Sequence, residues 1–372
     1  MVRVLHTGCQ LCKSGGIENY IMNHYRKINK NNFEFVFLIE SLDDTVETFE
    51  TEVNQSGGQV YHISHSASFL SKIKQKYKAL KNIDFDIAHI HVSCGVRAID
   101  GIICKLAKPK AKIIFHSHSN LGVRPLKYSL LIPIYRIMSN KLLACSKSAG
   151  QYFFGTSVIK SKKFKVANNS VDTNKFSFSQ EKRAAVREQL DIDNETFLLG
   201  FVGRLSPEKN VPLFIDIADA LKKLYPKTKG VIVGDGSEFE SIKTYIKTKE
   251  VENDVVMVGN QAETDKFLSA MDMLVLPSEN EGLGIVLIEA QSCALPCFAT
   301  DKAPEETKIS DLITYFDINE PAEAVAKRII EFMKNYKLLR TMKTDYVKDN
   351  GFDLSVTASE MECIYSKLLK EC

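Results

Sequence analysis

The chain has 372 residues, 44% hydrophobic and 26% charged, an ordinary globular composition that excludes disordered, collagen-like and coiled-coil classes and has room for two domains. No apolar run approaches the roughly 18 residues that span a bilayer, the start MVRVLHTGCQ lacks a signal peptide's apolar core, and nine cysteines are too few for a disulfide scaffold, so the expected setting is the cytosol. The net charge of +3 hides an asymmetry: of 49 Lys/Arg and 46 Asp/Glu, residues 1–180 hold 25 and 12, leaving 24 and 34 for residues 181–372.

Short apolar runs alternate with amphipathic segments. In the first half, strands are expected at VRVLHT (2–7), FEFVFLI (33–39), QVYHI (59–63), DIAHIHV (86–92), AKIIFHS (111–117) and NKLLACS (140–146), with helical patterns between them, for instance over 17–28, 69–81 and 95–106. The second half repeats the rhythm at FLLGFVG (197–203), GVIVGD (230–235), DVVMVG (254–259), DMLVLPS (272–278) and LPCFAT (295–300). Runs of Val, Ile, Leu and Phe without alternation are typical of strands buried on both faces, and strands spaced by helices give parallel sheets. Two α/β units follow, one over 1–175 plus a returning helix in 352–372, the other over 176–351. The link is expected near the polar stretch 168–196, where the charge changes sign. Two doubly wound domains with facing carboxyl edges would enclose a cleft suited to phosphate-bearing ligands.

Five stretches carry candidate chemistry. GCQLCKSGGIE (8–18) follows the first strand and opens the first helix; Gly15 and Gly16 allow backbone N–H groups to approach an anion, though a plain strand-to-helix turn fits equally. Its Cys9-x-x-Cys12, like Cys293-x3-Cys297, has no further pair at zinc-ribbon spacing. IAHIHV suggests structural roles for His89 and His91. IIFHSHSN sets His116 and His118 on one face at a strand end; without a nearby acid they are a poor metal pair and better suited to a substrate hydroxyl. In GRLSPEKN, Arg204 and Lys209 lie just past a strand, a fork and a point charge suited to a diphosphate. In PSENEGLGIVLIEAQSC, Glu281 precedes Gly282, Leu283, Gly284 and Ile285, whose N–H groups open a helix. Glu289, flanked by Val286, Leu287, Ile288 and Ala290, is an expensive place for a carboxylate unless bonded, and suits a ribose.

Taken together, the glycine pair, the strand-end His, GRLSPEKN, the E-x7-E of EGLGIVLIE and the NNSVDTNKF of 168–176 resemble family 4 retaining glycosyltransferases of the GT-B fold, over nearly the whole chain. Ser170 stands where that family usually has Gly. HSHSN looks most like the capsule and exopolysaccharide branch. The resemblance implies that Arg204 and Lys209 bind the donor diphosphate, that Glu281 and the 282–285 backbone hold sugar and phosphate, and that Glu289 binds the ribose. It further implies diphosphate contacts from Gly15 and Gly16, and a sugar contact from His116 or His118. It implies no cofactor and no divalent metal, because the two cations take the metal's place. Asp84-x-Asp86 and Asp191-x-Asp193 are then structural.

The implied function is transfer of a hexose from a nucleotide sugar, UDP being the commoner base in that branch, to a glycan or lipid-linked acceptor. The basic half, with Lys72, Lys74, Lys76, Lys78 and Lys81 in one segment and a mixed basic-apolar 124–141, suggests peripheral binding to an anionic membrane. Competing readings are a GT-B nucleotide-sugar epimerase, a non-catalytic transferase-like partner, and nucleic-acid binding, which rests on charge alone without a motif.

Overall fold

The computed structural model describes residues 1–13, 16–41, 46–65, 68–119, 125–335, 340 and 345–370. The chain divides into two compact units, Met1–Ser170 with Leu354–Cys372, and Val171–Asp353.

The first unit is a seven-stranded parallel sheet. Its strands are β1 (Val2–Thr7), β2 (Phe33–Glu40), β3 (Gln59–Ile63), β4 (Ile87–Val92), β5 (Lys112–Ser117), β6 (Lys141–Ala144) and β7 (Phe164–Val166). They run in the order β3-β2-β1-β4-β5-β6-β7. Winding reverses between β1 and β4, so the loops after these neighbours diverge to opposite faces and leave a crevice at their carboxyl ends. Val4, Phe35, Phe37, Ile87 and Ile114 face one core, shared with the helices Gly16–Lys27 and Leu354–Lys370. Leu5, Val36, Leu38, Ala88 and Phe115 face the other, under the helices Phe69–Asn82, Ala98–Ala107 and Ile132–Met138. Both faces are covered, which is why these strands read as unbroken apolar runs.

The second unit repeats the plan with β8 (Phe197–Val202), β9 (Thr228–Val233), β10 (Val255–Met257), β11 (Met273–Leu276), β12 (Cys297–Thr300) and β13 (Ile313–Phe316). Their order is β10-β9-β8-β11-β12-β13, all parallel, with the reversal between β8 and β11. The two-sheet parallel architecture expected from the sequence is present.

Three local expectations change. β7 and β13 were not expected; both are edge strands of three or four residues, too short and too half-polar to stand out. The link expected near 168–196 is narrower than that stretch: the division falls between Ser170 and Val171, and the remainder belongs to the second unit. Within it the helix Gln180–Gln189 docks through Arg187, whose guanidinium bonds Ala270 O at 2.9 Å and Asp272 Oδ2 at 3.2 Å. A helix held by a buried Arg rather than by leucines looks solvated in a hydropathy reading. Finally, the lysines of Phe69–Asn82 are not one free basic face. Lys72 Nζ pairs with Glu40 at 2.8 Å, and the buried Lys76 pairs with Asp100 at 2.7 Å; Lys74, Lys78 and Lys81 remain exposed.

Candidate functional site

Two loops of the second unit leave the same sheet edge from neighbouring strands. After β8, Gly203 leads to Arg204, a 3-10 turn at Pro207–Lys209, and Asn210 in the left-handed region (φ 49°) before the helix Val211–Leu224. After β11, residues 277–284 lead to Gly284 (φ 74°) and the helix Ile285–Ser292. Glycine accommodates that φ without the Cβ clash other residues incur. The loops are tied together twice. Glu279 N donates to Glu208 O at 2.8 Å, and Lys209 Nζ donates to Glu281 Oε1 at 2.5 Å. The same carboxylate oxygen accepts from the fully buried Ser278 Oγ at 2.8 Å. Lys209 is thereby anchored beside the start of a helix, where unpaired N–H groups favour an anion. Arg204 is exposed, and among the described residues no acid pairs with it.

Glu289 lies just over one turn into that helix and is half-buried. Burial raises its carboxyl to about 7, against a lowering pull from Lys175 and a raising push from Asp265. Among the described residues no protein group bonds this carboxylate, so its acceptor oxygens are unclaimed. The Lys209 loop and the Glu281 loop are thus held together, and Glu289 lies on the helix that the second of them opens.

In the first unit, Gly15 lies outside the described residues. Gly16 opens the helix Gly16–Lys27, and a Cβ added there would meet no atom within 4 Å, so packing does not require its glycine. His116, on β5, is completely buried, whereas His118, just past the strand, is half-buried. Their rings stack at 4.1 Å. Neither stands alone. The sheet register sets His6 beside His89 and His91 beside His116. His118 Nε2 lies 2.8 Å from His91 Nδ1, His91 Nε2 3.0 Å from His6 Nδ1, and His116 Nδ1 3.1 Å from His89 Nε2. His89 Nδ1 meets Tyr365 of the returning helix at 2.8 Å. Burial lowers all these imidazoles, His6 and His118 to about 3. His6 was not a candidate in the sequence; the alternate-residue histidines of IAHIHV and IIFHSHSN were the signal, and VRVLHT supplied the third strand.

Nitrogen triads within 4.8 Å occur in His6–His89–His91 and in His91–His116–His118. The carboxylate pairs are otherwise engaged. Asp86 accepts from Arg3 N at 2.9 Å and Asp84 pairs with the Arg3 guanidinium at 3.3 Å, while Asp193 caps a turn through Thr196 N and Glu195 N. Cys293 and Cys297 are buried, and burial pushes the Cys293 thiol up to about 12, which leaves it inert.

A further element was not foreseen. Gly234 and Gly236 follow β9 and back the Arg204 loop so closely that a Cβ would sit 1.9 Å from Gly203 O and 2.2 Å from Leu205 O, respectively.

Comparison with known proteins matches residues 14–175 to the Glycosyltransferase Family 4 model and residues 182–347 to the Glycosyl transferases group 1 model. An Escherichia coli O-antigen biosynthesis glycosyltransferase, WclY, is 26% identical across 96% of this chain and 97% of its own. The Escherichia coli UDP-Gal:alpha-D-GlcNAc-diphosphoundecaprenol alpha-1,3-galactosyltransferase is 25% identical across 71% of this chain and 68% of its own. Among solved structures, Anabaena Alr3699/HepE in complex with UDP-glucose superposes with a TM-score of 0.79 over all of both chains at 18% identity, a likeness of fold.

Proposed function

From a GT-B glycosyltransferase that joins a family 4 domain to a group 1 domain, we propose hexosyl transfer from a UDP-sugar to a lipid-linked or glycan acceptor in surface polysaccharide synthesis, with retention and without a metal ion. The carrying observation is the Lys209–Glu281 bond, which ties a cation to the loop that leads into Ile285–Ser292 while Arg204 stays exposed. Relatives named for O-antigen and diphosphoundecaprenol chemistry support the acceptor class, and a fold relative with UDP-glucose supports the donor base.

In this reading Arg204, Lys209 and the 282–285 N–H groups receive the donor diphosphate, and Glu289 accepts hydrogen bonds from the ribose hydroxyls. The bond from the anomeric carbon to the diphosphate oxygen breaks, passing through an oxocarbenium-like state. Charge grows on the diphosphate, where the fixed cations and helix N-terminus stabilise it. The acceptor hydroxyl attacks on the same face, a new C–O bond forms, and its proton moves to the departing phosphate oxygen. The acceptor-side reading includes peripheral membrane binding by the basic first unit.

A thermal-shift series with UDP and UDP-hexoses in EDTA tests the donor class, since a true donor stabilises by mass action. Donor hydrolysis tests the machinery. Loss in both Arg204→Ala and Lys209→Ala is expected; turnover unchanged by both overturns the assignment, and dependence on added metal overturns the metal-free reading.

A further inference from the structure

Four residues of the second unit form one hydrogen-bonded chain that reaches from strand β12 to Lys209. Thr300, the last residue of β12, donates its hydroxyl to Ser278 O at 2.6 Å. Ser278 Oγ donates to Glu281 Oε1 at 2.8 Å, and Lys209 Nζ donates to the same oxygen at 2.5 Å. Thr300 and Ser278 are fully buried and Glu281 nearly so. Every proton in this chain has one direction. A carbonyl and a carboxylate paired with an ammonium only accept, an ammonium only donates, and each hydroxyl has a single proton to give.

Ser278-x-x-Glu281 has the spacing of a capping box, but the helix begins only at Ile285, and the two side chains bond each other instead. Lys209 carries its ammonium on a flexible four-carbon stem, and Glu281 brings rotatable bonds of its own. Left to themselves, the two could swing together and stay paired. Ser278 removes that freedom by holding the shared carboxylate oxygen. Thr300 in turn holds Ser278 to a strand that has neighbours on both sides. The paired residues of β11 and β12 end at Leu276 and Ala299, so the Thr300 hydroxyl carries the attachment further along the loop.

Joining the loops is a separate matter. Glu279 N bonds Glu208 O at 2.8 Å through backbone alone, so the loops stay tied when the side-chain relay is cut. What the relay adds is the direction of the ammonium. Glu281 takes one of its three N–H donors, and among the described residues no other group accepts from Lys209 Nζ.

We propose that Ser278 and Thr300 are positioning residues that set, through Glu281, the direction in which Lys209 presents its ammonium to the donor diphosphate. This rests on the proposed donor binding for its ligand, but not for the bonded chain, which belongs to the free protein. Charge on the diphosphate grows only as its bond to the sugar breaks. A misdirected ammonium therefore weakens the transition state more than the bound donor, and the loss falls on kcat.

Ser278→Ala and Thr300→Val each remove one hydroxyl with little change of shape. Each should lower kcat for hydrolysis of UDP-glucose or UDP-galactose about tenfold, the value of one hydrogen bond, with KM nearly unchanged. Thr300→Ser, which keeps the hydroxyl, should restore kcat. In Lys209→Met, Ser278→Ala should lower kcat no further, since no ammonium is left to direct. Stability should couple the other way. Ser278→Ala should lower Tm by roughly 2–4 °C in the parent and by more in Lys209→Met, where Glu281 Oε1 loses its second donor as well. A crystal structure of Ser278→Ala should show the Lys209 ammonium displaced. A further tenfold loss of kcat in Lys209→Met overturns the inference, as does Thr300→Ser being no better than Thr300→Val, or an ammonium that has not moved. If the ammonium moves and the Tm pattern holds while the parent hydrolyses no UDP-hexose, the positioning of Lys209 stands and the transferase reading falls.

Discussion

Lys209 Nζ lies 2.5 Å from Glu281 Oε1, and the carboxylate it meets is only 6% exposed. The pair serves two ends at once: it locks the loop after β8 to the loop after β11, and it places a cation at a helix start. Removing the lysine leaves an enclosed carboxylate with only Ser278 Oγ on that oxygen. Breaking a buried pair from one side is costly; with Lys209 partly exposed, about 2 kcal/mol is expected. For a unit of this size that lowers Tm by roughly 4–8 °C. Arg204→Ala, at an exposed position, should move Tm by about 1 °C or less. Both should lower donor turnover by about a hundredfold. The double variant Lys209→Met, Glu281→Gln should recover Tm without turnover. Melting curves beside hydrolysis rates separate these outcomes, and equal Tm for the two single variants would refute the anchoring role.

Glu289 has a carboxyl raised to about 7 by burial. Ribose hydroxyls donate to the ionised form, so donor affinity should climb as pH rises through 7. A UDP-sugar is the right probe, since its diphosphate diester does not titrate there. Calorimetry at pH 6, 7 and 8 should show the rise, and Glu289→Gln should flatten it. Stability moves the other way. The folded carboxyl titrates above the unfolded one, so the folded protein holds the extra proton between about 4.3 and 7. Stability from this group is full below that window and lost across it. Glu289→Gln should therefore be stabilised relative to the parent at pH 8 and not at pH 4.

Gly236 has no freedom to gain a side chain. A Cβ would lie 2.2 Å from Leu205 O, backbone that cannot swing aside as a flexible side chain would. Gly236→Ala should push the Arg204 loop out of place, costing about 1–3 kcal/mol and weakening UDP binding together with Tm. A crystal structure or amide exchange over 203–210 would locate the change. Unaltered UDP affinity would show that this backing does not position Arg204.

Most strand cores, and each loop of the candidate second-unit site taken singly, were readable because they depend on contiguous residues. Unbroken runs such as FLLGFV and MLVL reflect sheets covered on both faces, and the GRLSPEKN and EGLGIVLIE segments each carry their chemistry within one loop and one helix turn. What stayed hidden depends on partners distant in sequence. Lys76 looked like a surface charge because Asp100 lies 24 positions away. Arg187 looked solvated because its acceptors come from Ala270 and Asp272. The pairs His6–His91 and His89–His116 met only once β1, β4 and β5 were set side by side. No spacing rule within a single segment contains that register.

The exposed large apolar side chains fall unevenly. Among the described residues, ten of twelve belong to the first unit, including Leu126, Leu130 and Ile137, each more than 70% exposed. They lie in the short helices Leu126–Ser129 and Ile132–Met138 or the turn between them, beside exposed Arg136 and within a run from 101 to 171 that has no acidic residue. Exposed apolar side chains in a basic stretch without acids suit the headgroup boundary of an anionic bilayer. Each nearby Lys or Arg contributes about 1 kcal/mol, declining with salt. Co-sedimentation with phosphatidylglycerol vesicles should be strong at low salt and weaken as salt rises, while neutral phosphatidylcholine vesicles should leave the protein in solution. Leu130→Glu with Ile137→Glu should abolish pelleting even at low salt, with Tm unchanged because both side chains are already in water. Arg136→Ala should reduce the salt dependence instead. Equal pelleting with charged and neutral vesicles would remove the electrostatic half of this argument, and pelleting unaffected by the double Glu variant would place the contact elsewhere on the unit.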